Sequence, residues 1–373
     1  MSGGFGRLYR GETTFNFVGR RRWGFGFSLI LSLVTVVSLY NSGLNLGIDF
    51  EGGVAWEFPS ANVTVDEARG ILSNNEISTS DAKIQLLNSN TGQSIRIQVG
   101  EQTPEVQVNV QEDLASAAGI ATQEVSVAAV SSSWGRTITE KALRALFIFF
   151  GLVSLYIAWR FEWKMALSAI AAMAHDVLLC VGVYSVTGLT VTPATVIAIL
   201  TILGFSLYDT IVVFDKVHEN TKRYSSSRVS YGDITNISMN QVLMRSLNTS
   251  VAAILPVLSL LVLGSWILGV IALEDFAIAL LIGMLLGAYS SIYIATPLLA
   301  VLKQREAKYR PLIGQLSLGA DMLRVAGVIP SSSPVGATIA SAISQTADSG
   351  REQITVASAL THPPRPRKKR SRG

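Results

Sequence analysis

Six long apolar segments limit what this chain can fold into more than any other feature of its sequence. They lie near residues 23–41, 141–158, 165–187, 191–217, 242–263 and 276–302. Each has about the length, roughly 20 residues, that a helix needs to cross the hydrocarbon of a bilayer. Because 49% of the residues are hydrophobic and only 15% are charged, an ordinary soluble protein is excluded. The sequence predicts a polytopic α-helical membrane protein with six transmembrane helices.

The first apolar segment resembles a secretory signal peptide, because Arg20, Arg21 and Arg22 precede it. Its apolar core exceeds the roughly 7 to 15 residues of such signals, and no A-x-A cleavage site follows it. We therefore expect an uncleaved membrane anchor. The single cysteine, Cys180, lies inside the third segment, so the sequence offers no pair for an intrachain disulfide.

Lys and Arg cluster at one end of each expected helix. The clusters lie before the first helix, at Arg160 and Lys164, from Lys216 to Arg228, and after Lys303. By the positive-inside rule these flanks are cytoplasmic. Residues 47–136 carry four Lys or Arg against twelve Asp or Glu, so we expect them outside. The predicted organisation is a cytoplasmic N-terminus (1–22), a first helix (23–41), an extracytoplasmic domain (47–136), a five-helix bundle (137–302) and a cytoplasmic tail (303–373).

The predicted tail carries twelve Lys or Arg against four Asp or Glu and ends in "PRPRKKRSRG". Its richness in Ser, Ala and Gly predicts disorder. The basic end either lies on anionic lipid or is solvated without a function.

Turn and cap signals predict the element order of the extracytoplasmic domain. Thr64 and Glu67 form a capping-box pattern that opens a helix to about Asn74, and Thr103 with Pro104 opens a second helix to about Ala118. Four strands are predicted, at 54–59, 82–88, 94–100 and 124–130, the middle two joined by a polar loop around residues 91 and 92. The order βαββαβ is that of a ferredoxin-like α+β domain, with helices on one sheet face and the other face free. With no Cys, His or phosphate-binding loop, the domain either binds through its surface or serves as a spacer.

Four of the ionisable residues within the apolar spans are candidate functional residues: His175 and Asp176 in the third, Asp209 in the fourth and Arg245 in the fifth. A charge there costs several kcal/mol unless it is paired or neutralised. Asp209 is too short to reach the headgroups, and apolar residues follow it. Arg245 lies at a similar depth on an antiparallel helix, so the two side chains are expected to pair. Taken alone, Arg245 is also explained as a side chain that reaches the headgroups.

His175 and Asp176 are adjacent and project about 100° apart on a helix, so they are not expected to face one neighbouring helix. The histidine either passes on a proton or supplies a hydrogen bond between helices. Gly283 and Gly287 have the spacing of small residues that allow close helix packing, within the chain or against a partner.

Hydrolytic chemistry lacks its usual parts in this sequence. "YD" at 208–209 resembles one motif of intramembrane aspartyl proteases, but the second motif, GxGD, is absent and the next helix supplies Arg245. The sequence also shows no metalloprotease motif, nucleophile elbow or P-loop. The sequence therefore predicts a protein that is not an enzyme and that binds no metal and no organic cofactor.

Five ordered motifs resemble those of the SecF family of protein-export membrane proteins. They are "GIDFEGG" (47–53), "AHD" (174–176), "LGFSLYDTIVVFDKVHEN" (203–220), "RSLNTS" (245–250) and "GAYSSIYIATPLL" (287–299), and the resemblance spans roughly residues 15 to 305. It implies a bundle like half of an RND-superfamily transporter in a bacterial inner or plasma membrane. The implied partners are SecD, the SecYEG translocon, unfolded preprotein and membrane lipids, with no nucleic acid.

The resemblance also implies roles for particular residues. Asp209 and Arg245 match the proton-relay residues, protons being the coupling ion; His175, Asp176 and Thr249 are candidates for support. Gly47, Asp49, Gly52 and Gly53 carry the family motif after the first helix. Tyr208 departs from the Asn that is common before the aspartate.

The implied function is that of an auxiliary Sec translocase subunit that uses the proton motive force, with SecD, to promote preprotein export. Two other functions stay open: an RND-type half-transporter for a lipid or small molecule, and a passive translocon scaffold.

The charge bias predicts the topology directly. Alkaline phosphatase, which is active only outside the cytoplasm, should be inactive when fused after Arg310 and active when inserted at 188–192. Phosphatase activity in intact cells measures this, and the reverse pattern for either fusion contradicts the assignment.

Overall fold

The structure is a computed structural model, and it describes residues 13–59, 63–80, 82–89, 92–267 and 271–328. The predicted tail from 329 to 373 and the predicted loop residue Thr91 lie outside the described residues. Six helices of the described part are long and apolar enough to cross a membrane, and all lie where apolar segments predict them. They are TM1 (Arg21–Asn41), TM2 (Ser132–Arg160), TM3 (Trp163–Thr187), TM4 (Pro193–Arg223), TM5 (Tyr231–Gly264) and TM6 (Leu273–Gln304).

Two transmembrane helices depart from regular α-helical geometry. A π-helical segment, Leu260–Ile267, overlaps the last residues of TM5 and continues past them. A second, Ser291–Ala295, interrupts TM6 before the α-helix resumes at Thr296. Segments of this kind are frequent at functional sites.

TM5 begins at Tyr231 rather than near residue 242, where the apolar segment starts. Ser230 caps it, because its hydroxyl accepts a hydrogen bond from the Asp233 amide at 3.0 Å. All ten residues of 231–240 are buried, although half of them are polar. Hydropathy misses this part of the helix because its polar side chains bond to protein and not to lipid.

The N-terminal segment lies against this buried start of TM5. Asn240 accepts from the Phe15 amide and donates to the Phe15 carbonyl, both at 2.9 Å. Asn236 accepts from the Val18 amide at 2.9 Å, and Val18 is fully buried. The two asparagines therefore hold the segment that leads into TM1 through its backbone.

Part of the predicted disordered tail is folded, so that prediction is wrong for residues 305–328. The Ser317 amide donates to Asp233 at 2.6 Å, and the Tyr224 hydroxyl donates to the Val325 carbonyl at 3.0 Å. The segment forms a short 3₁₀ turn (Arg310–Leu312) and a helix (Ala320–Val325). Buried polar groups of TM4 and TM5 thus supply partners that the composition of the tail does not reveal.

An ion cluster joins the TM2–TM3 loop to the end of TM6. Lys303 pairs with Glu162 and, at 3.0 Å, with Glu306, which also accepts from Lys164 at 3.0 Å. Partial burial disfavours the charged form of Glu306, but the hydrogen bonds and charges of the two lysines outweigh it and lower its pKa. The stabilisation is therefore present above the ordinary pKa of a glutamate and is lost as the pH falls through the lowered value.

The domain between TM1 and TM2 has the predicted element order. A short helix (Ile48–Glu51) leads into β1 (Gly53–Pro59), α1 (Val65–Asn74), β2 (Lys83–Ser89), β3 (Gly92–Val99), α2 (Pro104–Ala118), a 3₁₀ turn (Thr122–Glu124) and β4 (Ser126–Val130). The spatial order is β2-β3-β1-β4, and all three strand pairs are antiparallel. Both halves of the predicted capping box at Thr64 and Glu67 are present, and hydrogen bonds from Thr64, first from its backbone amide, lower the pKa of Glu67.

The two helices cover one face of the sheet. Trp56 and Ile97 are paired across β1 and β3 and are fully buried with Leu72 of α1 and Leu114 of α2. The Trp56 indole also donates to the Gln107 carbonyl at 3.2 Å. The opposite face is polar. It was expected to be free, and it instead faces the bundle across a cavity.

Gly52 and Gly53 allow the chain to turn from TM1 into the sheet. Their φ angles are +79° and +119°, which residues with a side chain rarely adopt. A Cβ on Gly52 would lie 2.5 Å from the Ser132 Cα, and one on Gly53 would overlap the Val99 carbonyl oxygen. The start of TM2 and strand β3 therefore leave no room for a side chain here.

The segment before this turn joins the loop between TM3 and TM4. The Gly47 amide donates to the Val191 carbonyl at 2.9 Å, and the Val191 amide donates to the Asn45 carbonyl at 2.8 Å. From the same loop, the Thr190 hydroxyl donates to Gln85 of β2 at 3.3 Å. The loop therefore contacts both the end of TM1 and the sheet.

We expect Gly53→Ala to destabilise the full chain by about 2 kcal/mol or more, because the added methyl group meets backbone at a strained φ. Gly70→Ala is the matched control, since a Cβ there meets nothing within 4 Å and α1 favours alanine. Thermal unfolding of the purified chain in detergent measures both. Equal transition temperatures for the two variants would contradict the close approach.

Candidate functional site

Asp209 lies in TM4 where that helix crosses TM5. Its side chain is buried, with 7% exposed, and both carboxyl oxygens lie 2.6 Å from the hydroxyl oxygen of Ser246 on TM5. Among the described residues, no Lys or Arg lies within 4.0 Å of it. A hydroxyl has one proton to donate, so it satisfies one carboxyl oxygen of an ionised group and not both. A protonated carboxyl satisfies both contacts, because its own proton goes to the Ser246 oxygen.

The predicted ion pair between Asp209 and Arg245 is not formed in this structure, and that expectation is wrong for this state. Arg245 is exposed on the outside of TM5 and makes no ion pair with a described residue. The next residue, Ser246, takes the inward position, because consecutive helical residues project about 100° apart. Matching depth along two helices predicted proximity but not the direction of the side chain.

A small cavity of about 40 Å³ lies beside the carboxyl group of Asp209. Phe205, Tyr208, Thr249 and Met284 are among its lining residues. The space is enough for water molecules. Tyr208, the residue before Asp209, is half exposed and forms part of the wall. Thr249, a predicted supporting residue, thus lies beside Asp209, and its hydroxyl donates to the Ser246 carbonyl at 2.8 Å.

Asp176 forms a second buried carboxyl site, where TM3 meets TM4 and TM6. Its side chain is 2% exposed, and one oxygen accepts hydrogen bonds from Ser206 at 2.6 Å and from Ser290 at 2.8 Å. His175 Nδ1 lies 3.3 Å from the other oxygen, while its Nε2 contacts the hydroxyl of Ser28 on TM1. The adjacent pair therefore faces different helices, as the sequence predicts.

The glycines of TM6 bring TM4 close to this site. A Cβ on Gly283 would overlap Ile202, and one on Gly287 would lie 3.0 Å from the Ser206 Cβ. The predicted small-residue spacing thus serves packing within the chain. This close approach places Ser206 near Ser290, so that both reach one carboxyl oxygen.

Sequence reasoning identified both acids and missed the three serines that bond to them. Ser246 follows Arg245 directly, and Ser290 lies in the "GAYSS" motif. The sequence signal that could have identified these serines is a hydroxyl residue within an apolar span, next to a charged residue or inside a motif of small residues. Hydroxyl side chains satisfy a buried carboxyl at little cost, which makes them its expected partners.

The motif residues after TM1 lie apart from these carboxyl groups. Gly47 and Asp49 line a polar cavity of about 440 Å³ between the polar sheet face and the bundle. Glu57 pairs with Arg96 at 2.9 Å in that cavity, and Asp275 of TM6 faces it. Gly47, Asp49, Gly52 and Gly53 therefore connect the domain to the bundle, and the structure does not bring them to Asp209.

The fold and the two sites define a class: a multi-pass membrane protein with titratable groups inside its bundle and a small α+β domain on one side. Buried groups of this kind mark ion or proton pathways in such proteins.

Comparison with known proteins identifies the family. Residues 109–305 match the family described as "Protein export membrane protein SecD/SecF, C-terminal", and residues 37–54 match the "SecD/SecF GG Motif". The chain belongs to the SecD/SecF family of protein-export membrane proteins.

Relatives support this over most of the chain. Protein translocase subunit SecF of Streptomyces coelicolor is 41% identical over 307 residues, covering 82% of this chain and 81% of that protein. SecF of Mycobacterium tuberculosis is 41% identical, covering 80% and 69%. The crystal structure of SecDF from Thermus thermophilus, described as a translocon-associated membrane protein, matches with a TM-score of 0.71 and 32% identity. It covers 79% of this chain, which spans 39% of that longer one.

Proposed function

We propose that the chain is an auxiliary subunit of the Sec protein translocase that, together with SecD, uses the proton motive force to promote preprotein export. The observation that carries the proposal is the carboxyl of Asp209, which is buried at a helix crossing with no described Lys or Arg within 4.0 Å, in a family of export proteins. In this role the protein carries protons and catalyses no covalent reaction. Protons are the coupling ion, and the SecYEG channel conducts the preprotein.

The Ser246 contact corresponds to the protonated state of Asp209. Loss of the proton leaves a carboxylate with one hydrogen bond in a low-dielectric site, which favours approach of a cation or water. Arg245 is the cation next to the site on the same helix as Ser246. We propose that TM5 moves, or that Arg245 changes rotamer, so that Arg245 reaches the ionised Asp209. Protonation of Asp209 reverses this step.

The energy available per proton is small. One elementary charge crossing 100 mV is worth about 2.3 kcal/mol, which is enough to shift a two-state bundle and far less than a whole translocation cycle needs. SecDF is known in more than one arrangement: a second solved structure, described as being in a super-membrane-facing form, matches this chain with a TM-score of only 0.55. Because one proton supplies so little energy, the proposal requires repeated cycling between conformations.

SecD is the proposed partner at the outer face of TM4 and TM5. Phe205, Tyr208 and Leu247 are about half exposed there, and Arg245 is exposed beside them. An arginine facing lipid within a span is costly unless it reaches the headgroups, whereas a neighbouring helix bundle with polar groups satisfies it. In Thermus thermophilus the relative is named SecDF, which is consistent with two halves that function together.

The sheet domain is proposed to be extracytoplasmic and ferredoxin-like, and both termini to be cytoplasmic. The strand order β2-β3-β1-β4 and the excess of acidic residues support this. The bundle is proposed to be an RND-like half in a bacterial plasma membrane. The outer edge strands β2 and β4 are where SecD or an unfolded client can add to the sheet.

Asp209→Asn keeps the size and hydrogen-bonding capacity of the side chain but removes its titration. We expect it to abolish the stimulation of export by the proton motive force, while the variant still folds and still binds SecD. Export of a preprotein into inverted vesicles, with and without a proton gradient, measures the loss.

Asp215→Asn is the matched control for this experiment. Asp215 lies on the same helix and forms an exposed ion pair with Arg160, worth about 0 to 1 kcal/mol, so its replacement should leave the stimulation intact. If Asp209→Asn exports normally under a full gradient, the chain is a scaffold and the proton role is wrong.

A photo-crosslinking side chain at Leu247 should capture SecD, because we place that residue on the shared face. Leu33 on TM1 is a matched control, since it is also an exposed leucine within a span and TM1 packs on TM3 and TM6. Mass spectrometry of the crosslinked bands identifies the protein captured from each of the two positions. Capture of SecD from Leu33 but not from Leu247 would show that SecD contacts TM1, which contradicts the proposed interface on TM4 and TM5.

A further inference from the structure

Asp176 is a buried carboxyl group that the proposed relay does not use. Among the described residues it has no Lys or Arg within 4.0 Å, and hydroxyl groups from two other helices converge on one of its oxygens. The titratable neighbours on the packed elements are His175 and Cys180 of TM3, Asp209 of TM4 and Tyr289 of TM6, while TM1 contributes Ser28. Of these, His175 is the one within hydrogen-bond distance of Asp176.

We propose that Asp176 and His175 form a second proton-binding site, and that the ionisation of Asp176 controls how tightly TM3 holds TM4 and TM6. In the transfer step, the N–H bond at His175 Nδ1 breaks and an O–H bond forms at the facing oxygen of Asp176. The imidazolium becomes a neutral ring and the carboxylate becomes a neutral acid. The pair keeps zero net charge throughout, so the transfer costs little in a low-dielectric bundle.

The two serines respond to this transfer. An ionised Asp176 oxygen accepts strong hydrogen bonds from both Ser206 and Ser290, since bonds to a charged acceptor are about twice as strong as neutral ones. A protonated carboxyl is a weaker acceptor, so both bonds weaken together. Protonation of Asp176 therefore weakens the hydrogen bonds that connect TM3 to both TM4 and TM6.

The helix that carries Ser290 has a segment able to respond. The π-helical segment Ser291–Ala295 begins at the next residue, and Ser291 accepts a hydrogen bond from Thr210 of TM4 at 3.2 Å. The Thr296 hydroxyl donates to the Ser291 carbonyl at 2.7 Å within this irregular turn. A π segment that reverts to α geometry shifts the register of the helix beyond it. Such a change in TM6 is the response that the proposal assigns to protonation of Asp176.

The site also lies close to the proposed relay. Ser206, which bonds to Asp176, is one helical turn from Asp209 on TM4 and lines the same small cavity. The contribution of this second site to export rests on the proposed function, but its proton binding does not.

Infrared difference spectra of the full chain in lipid nanodiscs, recorded at stepped pH, test the proposal. We expect a pH-dependent carboxyl signal that persists in Asp209→Asn and disappears in Asp176→Asn. Identical titrating signals in wild type and Asp176→Asn would overturn the second site, whatever the behaviour of Asp209→Asn. Loss of the pH-dependent carboxyl signal in Asp209→Asn but not in Asp176→Asn would also overturn the second site.

Variants that keep Asp176 give the same answer if Asp176→Asn does not fold. Ser206→Ala, Ser290→Ala and His175→Gln should each shift the frequency of the Asp176 carboxyl band, because each removes a hydrogen-bond partner of that carboxyl. Thr201→Ala is the control, since that exposed TM4 hydroxyl donates to the Ile197 carbonyl of its own helix. Band frequencies that match the control contradict the assigned contacts.

Hydrogen exchange tests whether Asp176 controls how tightly TM3 holds TM6. At one fixed pH, Asp176→Asn should increase amide exchange in peptides that cover 287–296 several-fold over wild type, and Asp209→Asn should not. Unchanged exchange in Asp176→Asn would show that the carboxyl does not hold TM6.

Discussion

The cost of placing a carboxyl group in hydrocarbon determines much of the arrangement of this bundle. Neither Asp209 nor Asp176 reaches the headgroups, and no described Lys or Arg lies within 4.0 Å of either carboxyl; the ring of His175 lies beside Asp176. Each is satisfied by serine hydroxyls from other helices, which requires those helices to be close. The glycines at 283 and 287 provide the close approach that the hydroxyl contacts at Asp176 need. Close helix packing is therefore needed to supply the buried carboxyl groups with hydrogen-bond partners in this molecule.

The sequence predicted the elements well, because each had a local signal. Six apolar segments located six helices, and the capping box at Thr64 located the start of α1. The start of TM5 was missed because hydropathy treats Asn236 and Asn240 as exposed, whereas tertiary hydrogen bonds bury them. The folded segment 305–328 was missed for the same reason, since its partners lie far away in sequence.

The candidate site was predicted in composition but not in pairing. A carboxyl within a span is visible in the sequence, and so are Asp209 and Asp176. Which neighbour turns inward is not visible, because one residue of rotation separates Arg245 from Ser246. The glycine motif after TM1 was predicted from family resemblance alone, and the structure supplies its physical reason in the crowded turn at Gly52 and Gly53.

Two segments that are far apart in sequence, one before TM1 and one after TM6, both attach to the start of TM5, and this bears on biosynthesis. Phe15 and Val18 bond to Asn240 and Asn236, and Ser317 bonds to Asp233, although about three hundred residues separate the two segments. The ribosome completes the first segment early and the last segment late. The polar start of TM5 is therefore synthesised after its Phe15 and Val18 partners and before its Ser317 partner. A chain that stops before residue 317 leaves Asp233 without the hydrogen bond from the Ser317 amide.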